Sequence, residues 1–249
     1  HTYYKLHQYS LGHFNIKQPL ARNSDFFGFV WLRKHQRLFN TLYAHLRLKS
    51  TLMPFYCPER TFHFDSSVFS KNGTYFEGFW QTEKYFKDIE QELRKDLTLK
   101  KPLSEYSQHT LRNIKSSRAI SIHVRRADYV ANRNTNLVHG ACSMDYYRHA
   151  IEYLTHYERS PHFFVFSDDH GWAAENFKSL PYQVTCVQNT AEKNYEDLML
   201  MSSCNHHIIA NSTFSWWGAW LNARQDKTVI APERWFNTKK PSTNTKDII

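Results

Sequence analysis

Three short polar runs in the second half of this chain carry residue types suited to holding a charged ligand. The first, HVRRADY, brings His123, Arg125, Arg126, Asp128 and Tyr129. The second, SDD, brings Asp168 and Asp169, and the third, NSTFS, brings Asn211, Ser212, Thr213 and Ser215. The adjacent arginines are the most demanding. A guanidinium does not shed its proton to escape burial, so each needs carboxylate or phosphate partners, and its planar fork suits the oxygens of a diphosphate. An ion pair with Asp128 is the plainer reading; it would satisfy one arginine and leave the other to solvent. Asp168 and Asp169 either end a strand or accept hydrogen bonds from a base or ribose. The third run is either an ordinary helix cap or a phosphate site, with hydroxyls and free backbone N–H groups at a helix N-terminus.

Each run follows a short apolar stretch, and the elements around them alternate. Residues 119–124 read as a strand and 145–157 as a helix with Tyr147, Ala150, Ile151 and Leu154 on one face. A strand over 162–166, a helix near 171–177, a strand over 183–187 and a helix over 191–204 follow. A strand over 206–210, a helix over 214–223 and a strand over 228–231 complete the half. Strands alternating with helices imply βαβ units and a parallel sheet covered on both faces. In such a sheet the three runs fall at carboxyl ends of strands, along one edge, where ligands bind.

The first half is more helical. Ser24 is a candidate N-cap for an amphipathic stretch in which Phe27, Val30, Trp31, Leu38, Leu42 and Leu46 fall near helical spacing, and residues 83–97 read as another helix. A core helix is the plain reading of the first stretch and a membrane-surface helix the alternative. Residues 102–117 are polar and break the pattern, which sets the expected boundary between domains 1–117 and 118–249.

Composition is that of a folded protein: 249 residues, 41% hydrophobic, 22% charged. No apolar run reaches the length of a membrane span, and His1–Ile16 lacks the pattern of a signal peptide. Cys57, Cys142, Cys186 and Cys204 are irregularly spaced, which favours reduced, buried thiols over disulfides or zinc and makes the expected compartment cytoplasmic. The sequons at Asn72 and Asn211 read as accidental. Of the formal charge of +9, residues 1–117 hold +8, a field that attracts anionic membranes, phosphorylated ligands or nucleic acid. There is no P-loop, no Gly-x-Gly-x-x-Gly and no Asp-x-Asp motif, so paired cations and a helix N-terminus are left to neutralise a leaving diphosphate without a metal.

Taken together, HVRRADY, FVFSDD (164–169) and NSTFSWWGAWL (211–221) resemble the α-1,2-fucosyltransferases, glycosyltransferase family 11. YFEGFWQTEKYF (75–86) and YSLGHFNI (9–16) are similar to earlier segments of that family. The glycine-rich segment with which such proteins begin has no counterpart here, so the first domain is expected to be incomplete. The resemblance implies an α/β fold of GT-B type, with two Rossmann-like domains, GDP-L-fucose as donor, no metal or other cofactor, and inversion at the fucose anomeric carbon. The acceptor would be the 2-hydroxyl of a β-galactoside in a surface glycan, lipid-linked in one reading, with the basic first half near the membrane. Carried onto this chain, Arg125 would contact the β-phosphate with Arg126 in support. Asp168 and Asp169 would read guanine or ribose, Ser212, Thr213 and Ser215 would hold the diphosphate from their helix N-terminus, and Asn211 would be a further donor-binding residue. Asp128 is either the base for the acceptor hydroxyl or a brace for Arg126. His123 is a further donor-site and base candidate, although strand alternation aims it at the other side of the sheet. An inactive GDP- or glycan-binding relative is the alternative from another class; nucleic-acid binding is a third, lacking any module that reads bases.

Overall fold

The computed structural model describes residues 9–17, 22, 56–72, 74–237 and 247. The amphipathic stretch expected from Ser24 to Leu46 lies outside the described residues. In chain order the elements begin with β1 (Tyr56–Pro58) and β2 (Tyr75–Glu77), a parallel pair, followed by α1 (Glu90–Asp96) and α2 (Glu105–Lys115). Then come β3 (Arg118–Val124), α3 (Ala127–Ala131), α4 (Arg133–Val138), α5 (Met144–Tyr157), β4 (Pro161–Ser167), α6 (His170–Phe177) and β5 (Gln183–Cys186). The chain continues through α7 (Asn194–Ser202), β6 (His206–Ile208), α8 (Thr213–Leu221) and β7 (Val229–Ile230).

Strands β3 to β7 form one sheet in the order β5-β4-β3-β6-β7, and every pairing is parallel. The chain starts at the centre with β3, adds β4 and β5 on one side, then crosses to add β6 and β7 on the other. The order therefore reverses between β3 and β6. At that reversal the connections leave in opposite directions, the place where open α/β sheets bind ligands in a crevice outside the carboxyl edge. The α/β class and parallel sheet expected from the alternation are present.

The strands hold because both faces are covered. Along β3, Ile120, Ile122 and Val124 enter a core with Tyr147, Ile151 and Leu154 of α5 and Phe177 of α6. Ala119 enters the opposite core with Phe164 and Phe166 of β4, Leu200 and Met201 of α7, and Ile114 of α2. Strands buried on both sides read as near-continuous apolar runs, as IHV and FFVF do. Where α8 crosses α7 the approach is close: a Cβ at Gly218 would lie 3.1 Å from that of Met201.

Two expectations change in the first half. The helix expected over 83–97 is two short 3₁₀ turns followed by α1. The break falls at Phe86, whose backbone leaves the helical region (φ −139°, ψ 11°) while its ring stacks 5.2 Å from that of Trp217 on α8. The polar stretch 102–117 is largely α2, N-capped by Ser104 and docked through Ser107, Thr110 and Ile114. All four cysteines are free, but only Cys204 is fully buried. First-half residues fix α8 from its far end: Arg94 donates 2.8 Å hydrogen bonds to the carbonyls of Trp220 and Leu221, satisfying acceptors that a helix C-terminus leaves open. No described helix is long and apolar enough to cross a membrane.

Of the three buried histidines on the described strands, His123, His162 and His207, two are shifted most strongly. His207 of β6 lies 2.8 Å from Ser121 Oγ and accepts from Asn222 Nδ2 at 2.7 Å, and burial pushes its imidazole down to about 3. His123 of β3 is likewise pushed down to about 3, by burial first and then by the Arg125 charge. The folded state thus binds fewer protons than the unfolded one below the ordinary histidine range. Stability from these groups is complete above about pH 6.5 and is lost as the pH falls toward 3. Urea unfolding from pH 7 to 4.5 should show this loss, and His123→Leu should flatten the slope by up to about 1.4 kcal/mol per pH unit. An unchanged slope contradicts the assignment.

Candidate functional site

Strand β3 ends at Val124, so its twist and length deliver Arg125 and Arg126 to the carboxyl edge beside the ends of β4 and β6. Arg125 is gripped on two sides. Its Nη1 lies 3.0 Å from Asp168 Oδ2, and its Nη2 lies 2.9 Å from Asp128 Oδ2. Its guanidinium also rests over the ring of Tyr129, 5.6 Å from the centroid. The arginine side chain is 19% exposed, so it is reachable from the crevice yet restrained.

Asp168 does more than pair with Arg125. Its other oxygen accepts from the backbone N–H groups of Arg126 (2.8 Å) and Ala127 (3.1 Å), at the entry to α3. One carboxylate from the β4 loop therefore fixes the backbone and the side chain of the β3 loop together. Charge-assisted bonds of this kind are short and directional. The β6 loop is joined through Tyr129, whose hydroxyl donates to the Asn211 carbonyl at 3.2 Å. Burial pushes that phenol up to about 12, which keeps it protonated as a donor.

Arg126 turns away from Arg125. Its Nε lies 3.4 Å from Asp169 Oδ2, and its guanidinium sits 4.6 Å from the centroid of Trp172. Asp169 also caps α6 by accepting from the Trp172 N–H at 3.1 Å. Both arginines therefore have carboxylate partners, and neither is left to solvent as the single-pair reading required. Asp128 braces Arg125 and not Arg126: it lies one helical turn after Arg125 in sequence, which brings its carboxylate under that guanidinium.

The NSTFS run divides into inward and outward members. Asn211 is buried, and its Nδ2 donates to the carbonyls of His139 (3.0 Å), Gly140 (2.9 Å) and Trp235 (3.2 Å). Ser215 is fully buried and donates within its own turn, to Ser212 O at 3.2 Å. Ser212, at the N-cap of α8, is half-buried and makes no side-chain capping bond, and Thr213 is exposed. The start of α8 follows β6, which pairs with β3, the strand that carries Arg125. His123 is buried against Phe214, with ring centroids 5.5 Å apart. Its neighbours Ile122 and Val124 enter one core while His123 lies against Phe214 on the other face of the sheet, as the alternation suggested.

Sequence patterning singled out Tyr129 within the first run but neither His139 nor Trp172. His139 stacks on Tyr129 (5.1 Å, 15°) and contacts Phe236 (5.2 Å), which stacks on Phe62 of the first half at 5.3 Å. This row of rings runs from beneath Arg125 to the first-half residues. Burial lowers the His139 imidazole, so it is held toward its neutral form. Among the described residues, no group of three or more His, Cys, Asp or Glu side chains is arranged to hold a metal ion.

The model for glycosyl transferase family 11 matches residues 32–248. The chain is 42% identical over 127 residues to O-antigen biosynthesis glycosyltransferase WbnK of Escherichia coli, covering 51% of this chain and 42% of WbnK. It is 37% identical over 189 residues to an alpha-1,2-colitosyltransferase of Escherichia coli, covering 71% of this chain and 63% of that protein. Galactoside alpha-(1,2)-fucosyltransferase 1 of Leontocebus fuscicollis is 28% identical over 152 residues, 58% of this chain and 42% of the relative. The chain therefore spans less than two thirds of each.

The geometry separates scaffold from contact. Asn211→Ala strips three buried carbonyls of their donor and should destabilise the fold by about 2–3 kcal/mol in urea unfolding. Thr213→Ala should change stability by less than about 0.5 kcal/mol. Equal effects would contradict this division.

Proposed function

This chain belongs to glycosyltransferase family 11, and from that membership we propose that it transfers L-fucose from GDP-L-fucose to the 2-hydroxyl of a galactoside in a surface glycan. The observation that carries the reading is Arg125: a guanidinium at the topological switch point, held by Asp168 and Asp128 and reachable from the crevice. Rigid cationic donors at such an edge suit a nucleotide diphosphate.

In the proposed reaction the bond between the fucose anomeric carbon and the β-phosphate oxygen breaks, and its electron pair leaves with GDP. The acceptor oxygen bonds to that carbon from the opposite face and loses its proton, which inverts the configuration. Negative charge grows on the departing phosphate. Arg125 neutralises it from a position fixed before the reaction, so little reorganisation is needed as the charge develops. Ser212, Thr213 and the N-terminus of α8 add donors to the same phosphates. Asp168 acts on the donor through Arg125 and the 126–127 backbone, and Asp169 through Arg126. We assign the leaving group to these cationic and N–H donors, without a metal. The acceptor approaches from the first half, where Phe79, 71% exposed and 6.3 Å from Phe62, offers an open ring face to a sugar. The basic first half also suits work at an anionic membrane, where lipid-linked glycans would be reached. WbnK is named for O-antigen biosynthesis, which supports a surface glycan as acceptor.

A second donor has specific support. The 37% identity with an alpha-1,2-colitosyltransferase favours a test of GDP-colitose, whose sugar is a 3-deoxy form of L-fucose. GDP release should be measured with both donors and a set of β-galactosides, with and without EDTA. Acceptor-dependent, EDTA-insensitive release is expected, and Arg125→Ala should lower kcat by about 10²–10³. No turnover with either donor, or an unaffected Arg125→Ala enzyme, overturns the proposal.

A further inference from the structure

The two carboxylates that touch Arg125 are themselves held unequally. Asp168 makes three contacts at once, to the Arg125 side chain and to two backbone N–H groups. Moving it would break all three and unfix the entry to α3. Asp128 contacts Arg125 through Oδ2 alone, and its Oδ1 is buried with no hydrogen-bond partner among the described residues. A buried oxygen without a donor is unfavourable, so the bound position of Asp128 gains little beyond the single ion pair.

Charge adds a second constraint. Among the described residues, Asp128, Asp168 and Asp169 stand around Arg125 and Arg126, one carboxylate more than the guanidinium groups they face. A diphosphate entering this cluster as it stands would meet net negative charge, with the Nη1 and Nη2 edges of Arg125 already in use. One partner has to give way.

We infer that nucleotide binding exchanges partners on Arg125: a phosphate oxygen takes the Nη2 edge, Asp128 is released, and Asp168 stays. The inference rests on the nucleotide-sugar reading above and sharpens it. Asp128 is then a placeholder that keeps the arginine aimed while the site is empty. Asp168 is the permanent brace. The two carboxylates touch the same guanidinium, yet their removal acts in opposite directions on nucleotide affinity.

Calorimetric titration with GDP tests the exchange. Asp128→Asn should bind GDP about threefold to fivefold more tightly, the size expected when a half-exposed ion pair no longer competes. Asp128→Ser should do the same, which guards against a local effect of the new amide. Asp168→Asn should bind more weakly despite losing the same charge, because the amide cannot hold Arg125 and both backbone donors together. Asp145→Asn, which removes an exposed charge paired with Arg148 and outside the cluster, should shift GDP affinity by less than about twofold. Weaker or unchanged binding by both Asp128 variants overturns the exchange. So does equal tightening in all three single Asp→Asn variants, which would mark a general field effect. If the wild-type protein and all variants bind no GDP, the nucleotide reading itself fails, and the exchange falls with it.

Discussion

A single carboxylate, Asp168, ties together the parts on which the site depends. It leaves the end of β4, accepts two backbone N–H groups at the start of α3, and pairs with the arginine that ends β3. Without it, Arg125 would be a long side chain with several rotamers on a loop. With it, the guanidinium has one direction. The cost of ordering that side chain falls on folding, before any ligand arrives, which is what preorganised charge stabilisation requires.

That bond is possible because of sheet topology. The chain begins its main sheet in the centre with β3, places β4 on one side and β6 on the other, and so brings three loops from distant sequence to one edge. Tyr129 closes the third side by bonding to the Asn211 carbonyl, while Asn211 itself anchors the loops before α5 and after β7. The first half contributes from outside the sheet. Arg94 fixes the C-terminal end of α8, and Phe62 stacks on Phe236 to extend the rings under Arg125.

Much of this could be read before the fold was seen, and the reasons differ by element. The strands and α5 were legible because their buried faces are apolar at clear spacing: Tyr147, Ala150, Ile151 and Leu154 are all buried. Helix α2 was not, because its inward face is Ser107, Thr110 and Ile114, and two polar residues hide the period. The 83–97 segment misled in the other direction. Its pattern is helical, but the packing of Phe86 against the tryptophans of α8 breaks the backbone first.

At the site, residue types drew attention to loops that the sheet brings to one edge, but not to who pairs with whom. Sequence allowed one ion pair with Asp128 and left that residue as either a base or a brace for Arg126; the turn into α3 pairs it with Arg125. The acidic pair was read as strand-end residues or as base or ribose contacts; the fold sets it against the two arginines, a pairing that spacing did not indicate. Side-chain pairing across loops is set by three-dimensional register, which spacing along the chain does not encode. The most direct measurement of the central claim is a structure with GDP bound. The account places a β-phosphate oxygen about 3 Å from the Arg125 guanidinium, with Asp168 still accepting from the N–H groups of Arg126 and Ala127. A diphosphate bound away from Arg125, or an Asp168 swung off those backbone donors, would contradict it.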